Sequence, residues 1–239
     1  MLQALIFDVD GTLADTEMAH LAAFNHAFEA TGMDWRWDVA QYTELLAISG
    51  GKERLLHFWQ QQQPGLQSLS HNAVHDTIAR LHELKTAAYE QAVQAGAVHM
   101  RPGVLALIQE AASVGLQLAI ATTTSPVNIA ALLRRAMGPD WMSYFLVLED
   151  ASTAPLKKPH PQVYLQTLGR LKLPAQACLA FEDSENGLRA ATAAGLPTII
   201  TPNAFTQQHN FQGALRVLPD LDGVTVAHLR ALHAAHPLA

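Results

Sequence analysis

The stretch Ala4-Leu5-Ile6-Phe7-Asp8-Val9-Asp10-Gly11-Thr12 decides the fold that the rest of the chain is expected to adopt. Its first four residues are apolar, which is typical of a short buried strand. Asp8 and Asp10 follow two positions apart, so on a continuing strand their side chains would share one face. Two carboxylates about 4 Å apart repel by roughly 4 kcal/mol at an effective dielectric constant of about 20. A fold keeps such a pair beside a cation, or for acid, base or nucleophilic chemistry.

The composition is that of a globular protein with a substantial core, since 49% of the 239 residues are hydrophobic and 15% are charged. This length suits one large domain, or one domain that carries a smaller insertion. The net charge of −6 and the pI near 6.0 argue against binding to nucleic acid or to an anionic membrane. Because Cys178 is the single cysteine and no signal peptide or membrane span is visible, we expect a cytoplasmic protein.

Between the first strand and about residue 96, the sequence predicts helices and no clear strand. Apolar residues recur at helical spacing in four segments, 17–31, 38–47, 52–63 and about 70–94. Gly32, the Pro64-Gly65 pair and Gly96 are the expected stops of the first, third and fourth helices. We therefore predict a helical unit that spans residues 16–96.

From Arg101 onward, strands and helices alternate. The predicted strands are 116–121, 145–148, 177–181 and 198–200. Helices are predicted to begin after Pro102-Gly103, at Ser125-Pro126, at Pro161 and at Ser184. This alternation predicts an α/β fold with a doubly wound parallel sheet and right-handed crossovers.

Polar side chains follow the ends of the predicted strands or lie in the loops after them. In an open α/β sheet, ligands bind outside the carboxyl ends of the strands, so these side chains are expected to meet at one edge. Taken singly, each has a structural alternative: a polar turn, a hydroxyl that bonds its own loop, a surface lysine, or acidic residues that stabilise a helix N-terminus. Taken together, they indicate a functional site whose members are Asp8, Asp10, Thr122, Lys158, Glu182 and Asp183.

The types and the order of these motifs resemble the haloacid-dehalogenase superfamily of phosphohydrolases and phosphomutases. The stretch from Asp8 to Thr12 is similar to motif I, Thr122 to motif II, Lys158 before a proline to motif III, and the run from Glu182 to Gly187 to motif IV. The resemblance covers nearly the whole chain. It implies a Rossmann-like core formed by residues 1–15 and 97–239, with residues 16–96 as a helical cap domain inserted directly after the first strand.

The resemblance also implies a chemistry. Asp8 would attack a phosphate ester to give an aspartyl-phosphate, and Asp10 would protonate the leaving alkoxide and then activate water. Mg²⁺ would neutralise the charges of the nucleophile and the phosphate. Its ligands would be Asp8, the backbone carbonyl of Asp10, Asp183 and, directly or through water, Glu182. The transferring phosphoryl oxygens would be held by Lys158, Thr122 and backbone N–H groups near Val9 and Thr123.

The predicted cap contributes a candidate anion site. Gly50 and Gly51 precede Lys52 at a predicted helix start, where free N–H groups and the flanking Lys52 and Arg54 would hold a phosphate. The structural alternative is an ordinary Gly-Gly turn followed by a solvated basic helix face. Candidate contacts to sugar hydroxyls are Glu17, His20 and Tyr42.

Asp15-Thr16-Glu17 followed by His20 resembles the β-phosphoglucomutase-like branch of the superfamily. Within that branch, the CbbY-type proteins are more similar still, through Trp35, Trp37, Tyr42, Leu45-Leu46 and Gly50-Gly51-Lys52-Glu53-Arg54. That resemblance implies a Mg²⁺-dependent phosphatase that converts xylulose-1,5-bisphosphate, an inhibitor of rubisco in the Calvin cycle, to xylulose-5-phosphate.

Two other functions stay open from the sequence. A β-phosphoglucomutase-like sugar phosphomutase would share every core motif and would differ only in the cap. A non-catalytic phosphate-binding regulator would share the fold, but the intact set of Asp8, Asp10, Lys158 and Asp183 disfavours it. The expected partner is a small sugar mono- or bisphosphate, and we expect a monomer that binds neither nucleic acid nor a membrane.

Overall fold

The strand that opens the chain, β1 (Ala4–Phe7), lies inside a six-stranded parallel sheet in the computed structural model, which describes residues 1–63 and 71–235. The order across this sheet is β3-β2-β1-β4-β5-β6. Ile6 of β1 lies opposite Ala119 on one side and Ala180 on the other. The other strands, in chain order, are β2 (Gln117–Ala121), β3 (Val147–Glu149), β4 (Cys178–Glu182), β5 (Thr198–Ile200) and β6 (Arg216–Val217).

Helices fall into two groups along the described chain. Four come between β1 and β2, namely α1 (Glu17–Ala30), α2 (Val39–Leu45), α3 (Gly51–Gln62) and α4 (His71–Gln94). The others alternate with the later strands or follow them: α5 (Val104–Ser113), α6 (Pro126–Met137), α7 (Gln162–Leu171), α8 (Glu185–Ala193) and α9 (Val226–Ala235). None of these helices is both long and apolar enough to cross a lipid bilayer, in the part of the chain that the structure describes.

Both faces of the sheet are covered, because successive side chains of a strand point to opposite faces. Leu5 and Phe7 belong to one buried cluster, which includes side chains of α5, α6 and α9. Ala4 and Ile6 belong to a second cluster on the other face, which includes side chains of α7 and α8. A parallel strand buried on both faces needs a continuous apolar run, and that is what β1 supplies.

The helices α1 to α4 surround a separate apolar core that is rich in aromatic rings. The Trp37 ring centroid lies 4.8 Å from that of Phe24 and 5.0 Å from that of Phe28. The side chain of Asn25 donates to the Trp37 carbonyl and accepts from the Trp37 N–H, both at 2.8 Å, which fixes the segment between α1 and α2. A helical unit with its own core is what the sequence predicts for an inserted cap, and its limits at residues 16–96 stay a prediction.

The predicted fold class is confirmed: the core is a parallel sheet with helices on both faces, and a helical insertion follows β1. The predicted helix starts at Ser125 and Ser184 are confirmed too, since their side chains accept the N–H groups of Asn128 and Gly187. The strand predicted over 145–148 lies at Val147–Glu149, because a 3-10 turn precedes it. The predicted stop at 64–65 and the helix start at 70 lie outside the described residues.

Sequence reasoning missed two elements. The two residues of β6 are exposed at the edge of the sheet, so they show no apolar pattern that would indicate a strand. The helix α9 packs Val226 and Leu229 against the sheet, but histidine and alanine fill much of its sequence and weaken the helical periodicity.

Two glycines before and after α5 allow a stability test. Gly103 has a φ of +76°, and a Cβ atom there would collide with the backbone of Leu221. Gly115 has a φ of +77°, but no described atom lies within 4 Å of the same position. Alanine at either site adds the strain of a left-handed backbone, about 1–2 kcal/mol. We expect Gly103→Ala to lower the urea-derived free energy of unfolding more than Gly115→Ala does. Equal losses would show that the close approach to Leu221 costs nothing.

Candidate active site

The carboxyl ends of β1, β2 and β4 meet at a buried group of charges. Asp8 follows β1, and its backbone N–H donates to the Phe181 carbonyl at 3.0 Å. The Lys158 ammonium lies 2.6 Å from Asp8 Oδ1, 2.6 Å from Glu182 Oε1 and 2.9 Å from the Ala121 carbonyl oxygen. All three charged side chains are buried. One ammonium group therefore bridges two carboxylates at the edge of the sheet that the sequence indicates.

The pKa values in this group follow from burial and from like charges. Burial raises the pKa of Asp8 to about 7, although Lys158 opposes the shift. Burial alone would lower the pKa of Lys158, but Asp8 and Glu182 raise it above its ordinary value. Burial, Asp8 and Glu182 together raise the pKa of Asp183 well above the usual range. Three carboxylates thus lie close together with one ammonium, and bringing all three to the ionised form would require a further cation.

The donor set fits a hard metal ion. One oxygen atom each from Asp8, Glu182 and Asp183 lies within 4.8 Å of the others, and all three residues are buried. Oxygen ligands with surplus negative charge are what Mg²⁺ prefers in proteins. Glu182 Oε1 already accepts hydrogen bonds from Lys158 and from the Tyr164 hydroxyl, at 2.6 Å and 2.5 Å. Tyr164 escaped the sequence reasoning, because a buried tyrosine on an amphipathic helix is ordinarily a core residue.

Steric crowding explains why glycine occupies position 187, in the fourth motif. A Cβ atom at position 187 would collide with the Glu182 carboxylate. Since Gly187 is also the residue whose N–H is capped by Ser184, the start of α8 lies directly against the acidic end of β4. Glycine therefore lets the helix approach the Glu182 carboxylate at the end of β4.

Asp10 points towards the cap rather than towards Lys158. Its Oδ1 lies 2.9 Å from His20 Nε2, and His20 Nδ1 lies 2.9 Å from the Lys85 ammonium. An ammonium can only donate, so Nδ1 is the acceptor and Nε2 carries the hydrogen that is donated to Asp10. The His20 ring stacks on Tyr89, with centroids 4.1 Å apart. A chain of cap side chains therefore fixes the carboxylate of Asp10.

This chain of contacts shifts the pKa values of its members. Burial would raise the pKa of Asp10, but His20 and Lys85 hold it below its usual range. Burial lowers the pKa of Lys85 to about 8, and Asp10 opposes that shift. The sequence suggested His20 as a contact to a sugar hydroxyl, whereas the structure places its ring on Asp10. Lys85 was missed, because a lysine in the middle of a long helix gives no sequence signal.

The second motif follows β2 and also lines the cleft. Thr122 is buried, its N–H donates to the Glu149 carbonyl at 3.0 Å, and its Oγ1 accepts from the Thr124 N–H at 3.3 Å. Thr123 lines the cleft beside it. Lys157 also lines the cleft, and its ammonium donates to the Ala151 carbonyl at 2.8 Å. Of the two adjacent lysines, Lys158 is thus the one that contacts the carboxylates.

The glycine-rich cap segment opens α3. Gly50 has a φ of +95°, and the Glu53 carboxylate folds back over it, as an acidic residue in the third helical position commonly does. Lys52 is exposed and lines the cleft. Arg54 is buried and donates to the carbonyls of Leu45 and Ile48, at 3.0 Å and 3.1 Å. Lys52 therefore fits the structural alternative of a solvated basic helix face, whereas Arg54 does not.

Tyr42 lies behind the wall of the cleft. It is fully buried in the cap core, where its hydroxyl donates to Glu17 Oε2 at 2.7 Å and accepts from Arg54 Nη1 at 3.2 Å. Burial, followed by the charge of Glu17, raises the pKa of this hydroxyl. The structure therefore gives Tyr42 the task of holding Glu17 and Arg54, in place of the expected contact with a sugar hydroxyl. Glu17 itself lines the cleft.

The cleft between the cap and the sheet has a volume of about 770 Å³. This is in the range of small-molecule sites. Asn186, within the fourth motif, joins the core to the cap by donating to the Ala47 carbonyl at 2.9 Å and to Ser49 Oγ at 3.2 Å. His82 lies on the cap side, against Gly51. Neither contact could be identified from the sequence, since both join segments that are remote along the chain.

Known proteins resemble this chain over most of its length. A family model described as haloacid dehalogenase-like hydrolase matches residues 2–195. The chain belongs to the haloacid dehalogenase-like hydrolases. It is 54% identical over 220 residues to the plasmid-encoded protein CbbY of Cupriavidus necator, a match that covers 92% of this chain and 86% of that protein. The predicted resemblance to CbbY proteins and the predicted enzyme class, a phosphatase of this superfamily, are confirmed.

Solved structures agree with this assignment. A crystal structure of a CbbY variant from Rhodobacter sphaeroides in complex with xylulose-1,5-bisphosphate is 40% identical, with a TM-score of 0.88 over 96% of this chain and 99% of that chain. A β-phosphoglucomutase structure from Clostridium difficile, 22% identical with a TM-score of 0.79, covers 98% of both chains and shares the fold.

The half-buried imidazole of His82 predicts a pH dependence of stability. Burial lowers its pKa to about 3, and the charges of Lys85 and Lys52 add to the shift. An unfolded chain binds a proton on this histidine below a pH of about 6.5, whereas the folded chain does not, so acid favours unfolding. The free energy of unfolding should therefore fall less steeply between about pH 6.5 and 4 in His82→Gln than in wild type. The exposed His26→Gln is the matched control, and parallel curves for wild type and His82→Gln would refute the prediction.

Proposed function

We propose that this enzyme is a Mg²⁺-dependent sugar-bisphosphate phosphatase that converts xylulose-1,5-bisphosphate to xylulose-5-phosphate. The observation that carries the proposal is a cleft with a carboxylate pair and Lys158 on the core wall and cations on the cap wall. The xylulose-1,5-bisphosphate bound to the R. sphaeroides CbbY variant supports the choice of substrate. Removal of this rubisco inhibitor would be the physiological role, and a cytoplasmic monomer is part of the proposal.

A bisphosphate needs two anion sites, and the two walls provide one each. On the core wall, Lys158 and Thr122 would hold the phosphoryl group that is transferred. On the cap wall, Lys52 and Arg54 flank the start of α3, and this helix end favours negative charge. The neutral ring of His82 would gain a proton more readily once a phosphate lies beside it, because a nearby anion raises the pKa of an imidazole.

Gly50 and Gly51 bring the backbone close to this second site. Glycine at position 51 leaves room for the His82 ring, which a Cβ atom there would crowd at 2.9 Å. The Glu53 carboxylate now folded over Gly50 would compete with a phosphate for the N–H groups of the helix start. A bound phosphate is therefore expected to displace Glu53 from Gly50, and a neutral ligand would leave it in place.

The chemistry begins at Asp8, which would attack the phosphorus while the bond to the sugar oxygen breaks. Lys158 lies against Asp8, so a dianionic phosphate meets a carboxylate whose charge is partly neutralised. Mg²⁺ held by Asp8, the Asp10 carbonyl, Asp183 and, directly or through water, Glu182 would neutralise the phosphoryl oxygens. Backbone N–H groups near Val9 and Thr123 would bind the same oxygens.

Asp10 would act as the proton donor and then as the acceptor. His20 and Lys85 keep its pKa low, which maintains the carboxylate form that takes a proton from the water attacking the aspartyl-phosphate. An incoming phosphate dianion opposes this shift, because a nearby negative charge raises the pKa of a carboxyl group. Substrate binding therefore favours the protonated form that the first step needs.

Replacement of the nucleophile tests the mechanism. Asp8→Asn keeps the shape of the side chain but removes the anion that attacks phosphorus, so turnover should be abolished while the far-UV spectrum and thermal unfolding show a folded protein. Asp10→Asn should be slowed severely, and acyl-phosphate should be trapped in this variant and not in Asp8→Asn. Phosphate release by a folded Asp8→Asn protein would rule out Asp8 as the nucleophile, and a rearranged sugar phosphate as the main wild-type product would indicate a mutase.

The second phosphate site predicts a change in specificity. A charge-assisted hydrogen bond is worth roughly 1.5–3 kcal/mol. Lys52→Ala should therefore lower kcat/KM for xylulose-1,5-bisphosphate by about ten- to a hundredfold. It should barely change kcat/KM for a small phosphomonoester, which occupies only the core wall. The control is Arg36→Ala, which removes an exposed cation of the cap. Equal losses for both substrates would mean that Lys52 supports the cap, and no loss for either would place the second phosphate elsewhere.

A further inference from the structure

The loop after β5 reaches back to the acidic end of β4. Asn203 Nδ2 donates to Asp183 Oδ2 at 2.8 Å. Both side chains lie against Gly11 in the turn after Asp8 and Asp10, where a Cβ atom would collide with the Asp183 carboxylate and the Asn203 amide. Three loops of the catalytic edge thus meet at this hydrogen bond. Asn203 lies outside the four motifs that the sequence indicates.

The orientation of the Asn203 amide is fixed by its own backbone. Its Oδ1 accepts the Phe205 N–H at 2.8 Å, so the oxygen faces the loop and Nδ2 must face Asp183. The Asn203 N–H in turn donates to Thr206 Oγ1 at 3.0 Å, and Thr206 is buried. An amide rotated by half a turn would lose both the Phe205 and the Asp183 contacts. The turn that the Asn203 side chain closes therefore directs Nδ2 at the Asp183 carboxylate.

The turn is also held from the side of the cap. The Phe205 ring packs on Tyr42, with centroids 6.0 Å apart and nearly perpendicular planes, and it adds to the apolar core of the cap. The residue that orients the amide is thus anchored in the cap, while the amide itself contacts the metal-binding edge of the core. This leaves Asn203 little freedom to move away from Asp183.

Asp183 needs such a donor. Asp8 and Glu182 surround it with negative charge, and a carboxylate in that field tends to turn away from its neighbours unless something holds it. Asn203 engages one of its two oxygens, which leaves the other available to a cation. Partners that hydrogen-bond a metal-ligating carboxylate fix its orientation, and their loss commonly costs about ten- to a hundredfold in metal affinity.

We propose that Asn203 is a positioning residue, which holds Asp183 in the orientation that binds Mg²⁺. It touches neither the phosphate nor the sugar in this role, and it acts only through Asp183. The proposal rests on the metal site of the proposed function. It adds to that site a residue from the loop after β5 that sets the affinity for the metal without taking part in phosphoryl transfer.

The test compares Mg²⁺ binding in two variants. Asn203→Ala removes both the turn and the donor. Asn203→Ser keeps a hydroxyl that can accept the Phe205 N–H, but its shorter side chain cannot reach Asp183. Titration calorimetry of the substrate-free enzyme with MgCl₂ should give a dissociation constant about ten- to a hundredfold higher in both variants than in wild type. In assays, the Mg²⁺ concentration for half-maximal activity should rise in parallel, while kcat at saturating Mg²⁺ stays close to wild type.

Asn210→Ala is the matched control. Asn210 closes a similar turn, in which its Oδ1 accepts the Gln212 N–H at 3.0 Å, but its side chain is exposed in the loop. This variant should bind Mg²⁺ as wild type does, and thermal unfolding in EDTA reports any loss of fold. Wild-type affinity in both Asn203 variants would overturn the positioning role and leave the proposed phosphatase intact. A loss of kcat that saturating Mg²⁺ does not restore would also overturn it. Absence of Mg²⁺ binding in wild type would refute the metal site itself.

Discussion

The structure depends on the Lys158 ammonium, which is buried between Asp8 and Glu182. These three residues come from the ends of β1 and β4 and from the loop before α7, so one cation fixes the distances among three loops. Removing one partner of a buried ion pair leaves an uncompensated charge, which typically costs about 3–5 kcal/mol. The same ion pairs therefore hold the loops of this edge together and set the positions of its charged groups.

The core alone does not supply partners for all the carboxylates at this edge. Asp183 adds a third carboxylate to a group with one ammonium, and a bound cation would stabilise the ionised forms of all three. Asp10 takes its hydrogen bond from His20, a residue of the cap. In the proposed mechanism, the sheet would thus supply the nucleophile and the metal ligands, whereas a different part of the chain would complete the proton-transfer group. Catalytic groups divided in this way are competent only when cap and core are together.

The sequence predicted those features that depend on local pattern. The apolar run of β1, the serine caps at Ser125 and Ser184, and the order of the motifs each require only neighbouring residues, and the structure has them. Lys158 could be placed near Asp8 because the carboxyl ends of parallel strands share one edge. The roles of these residues as nucleophile, proton donor and phosphate-binding groups come from the family resemblance and stay predictions.

The features that escaped prediction are contacts between remote segments. Lys85 reaches His20 from 65 positions away, and no periodicity in α4 marks that one side chain. Asn203 and Asn186 are ordinary loop and helix-start residues until the fold places a carboxylate or a cap carbonyl beside them. Tyr42 was assigned to the cleft because its segment matched a family pattern, but the pattern does not say which way a ring points. Burial of that ring among Phe24, Trp37 and Phe205 decides the question.

Three contacts between the cap and the core lie beside groups of the catalytic edge. His20 contacts Asp10, Asn186 joins the cap just after Asp183 in the chain, and Phe205 follows Asn203, which contacts Asp183. A cap displaced from the sheet would break all three together, so Asp10 and Asp183, the proposed proton-transfer and metal-binding carboxylates, would lose their supports at once. Under the proposed function, a substrate that bridges both walls of the cleft would stabilise this arrangement by its own binding energy. Selectivity for a ligand with two anionic groups would then follow from the geometry of closure as much as from the strength of either contact.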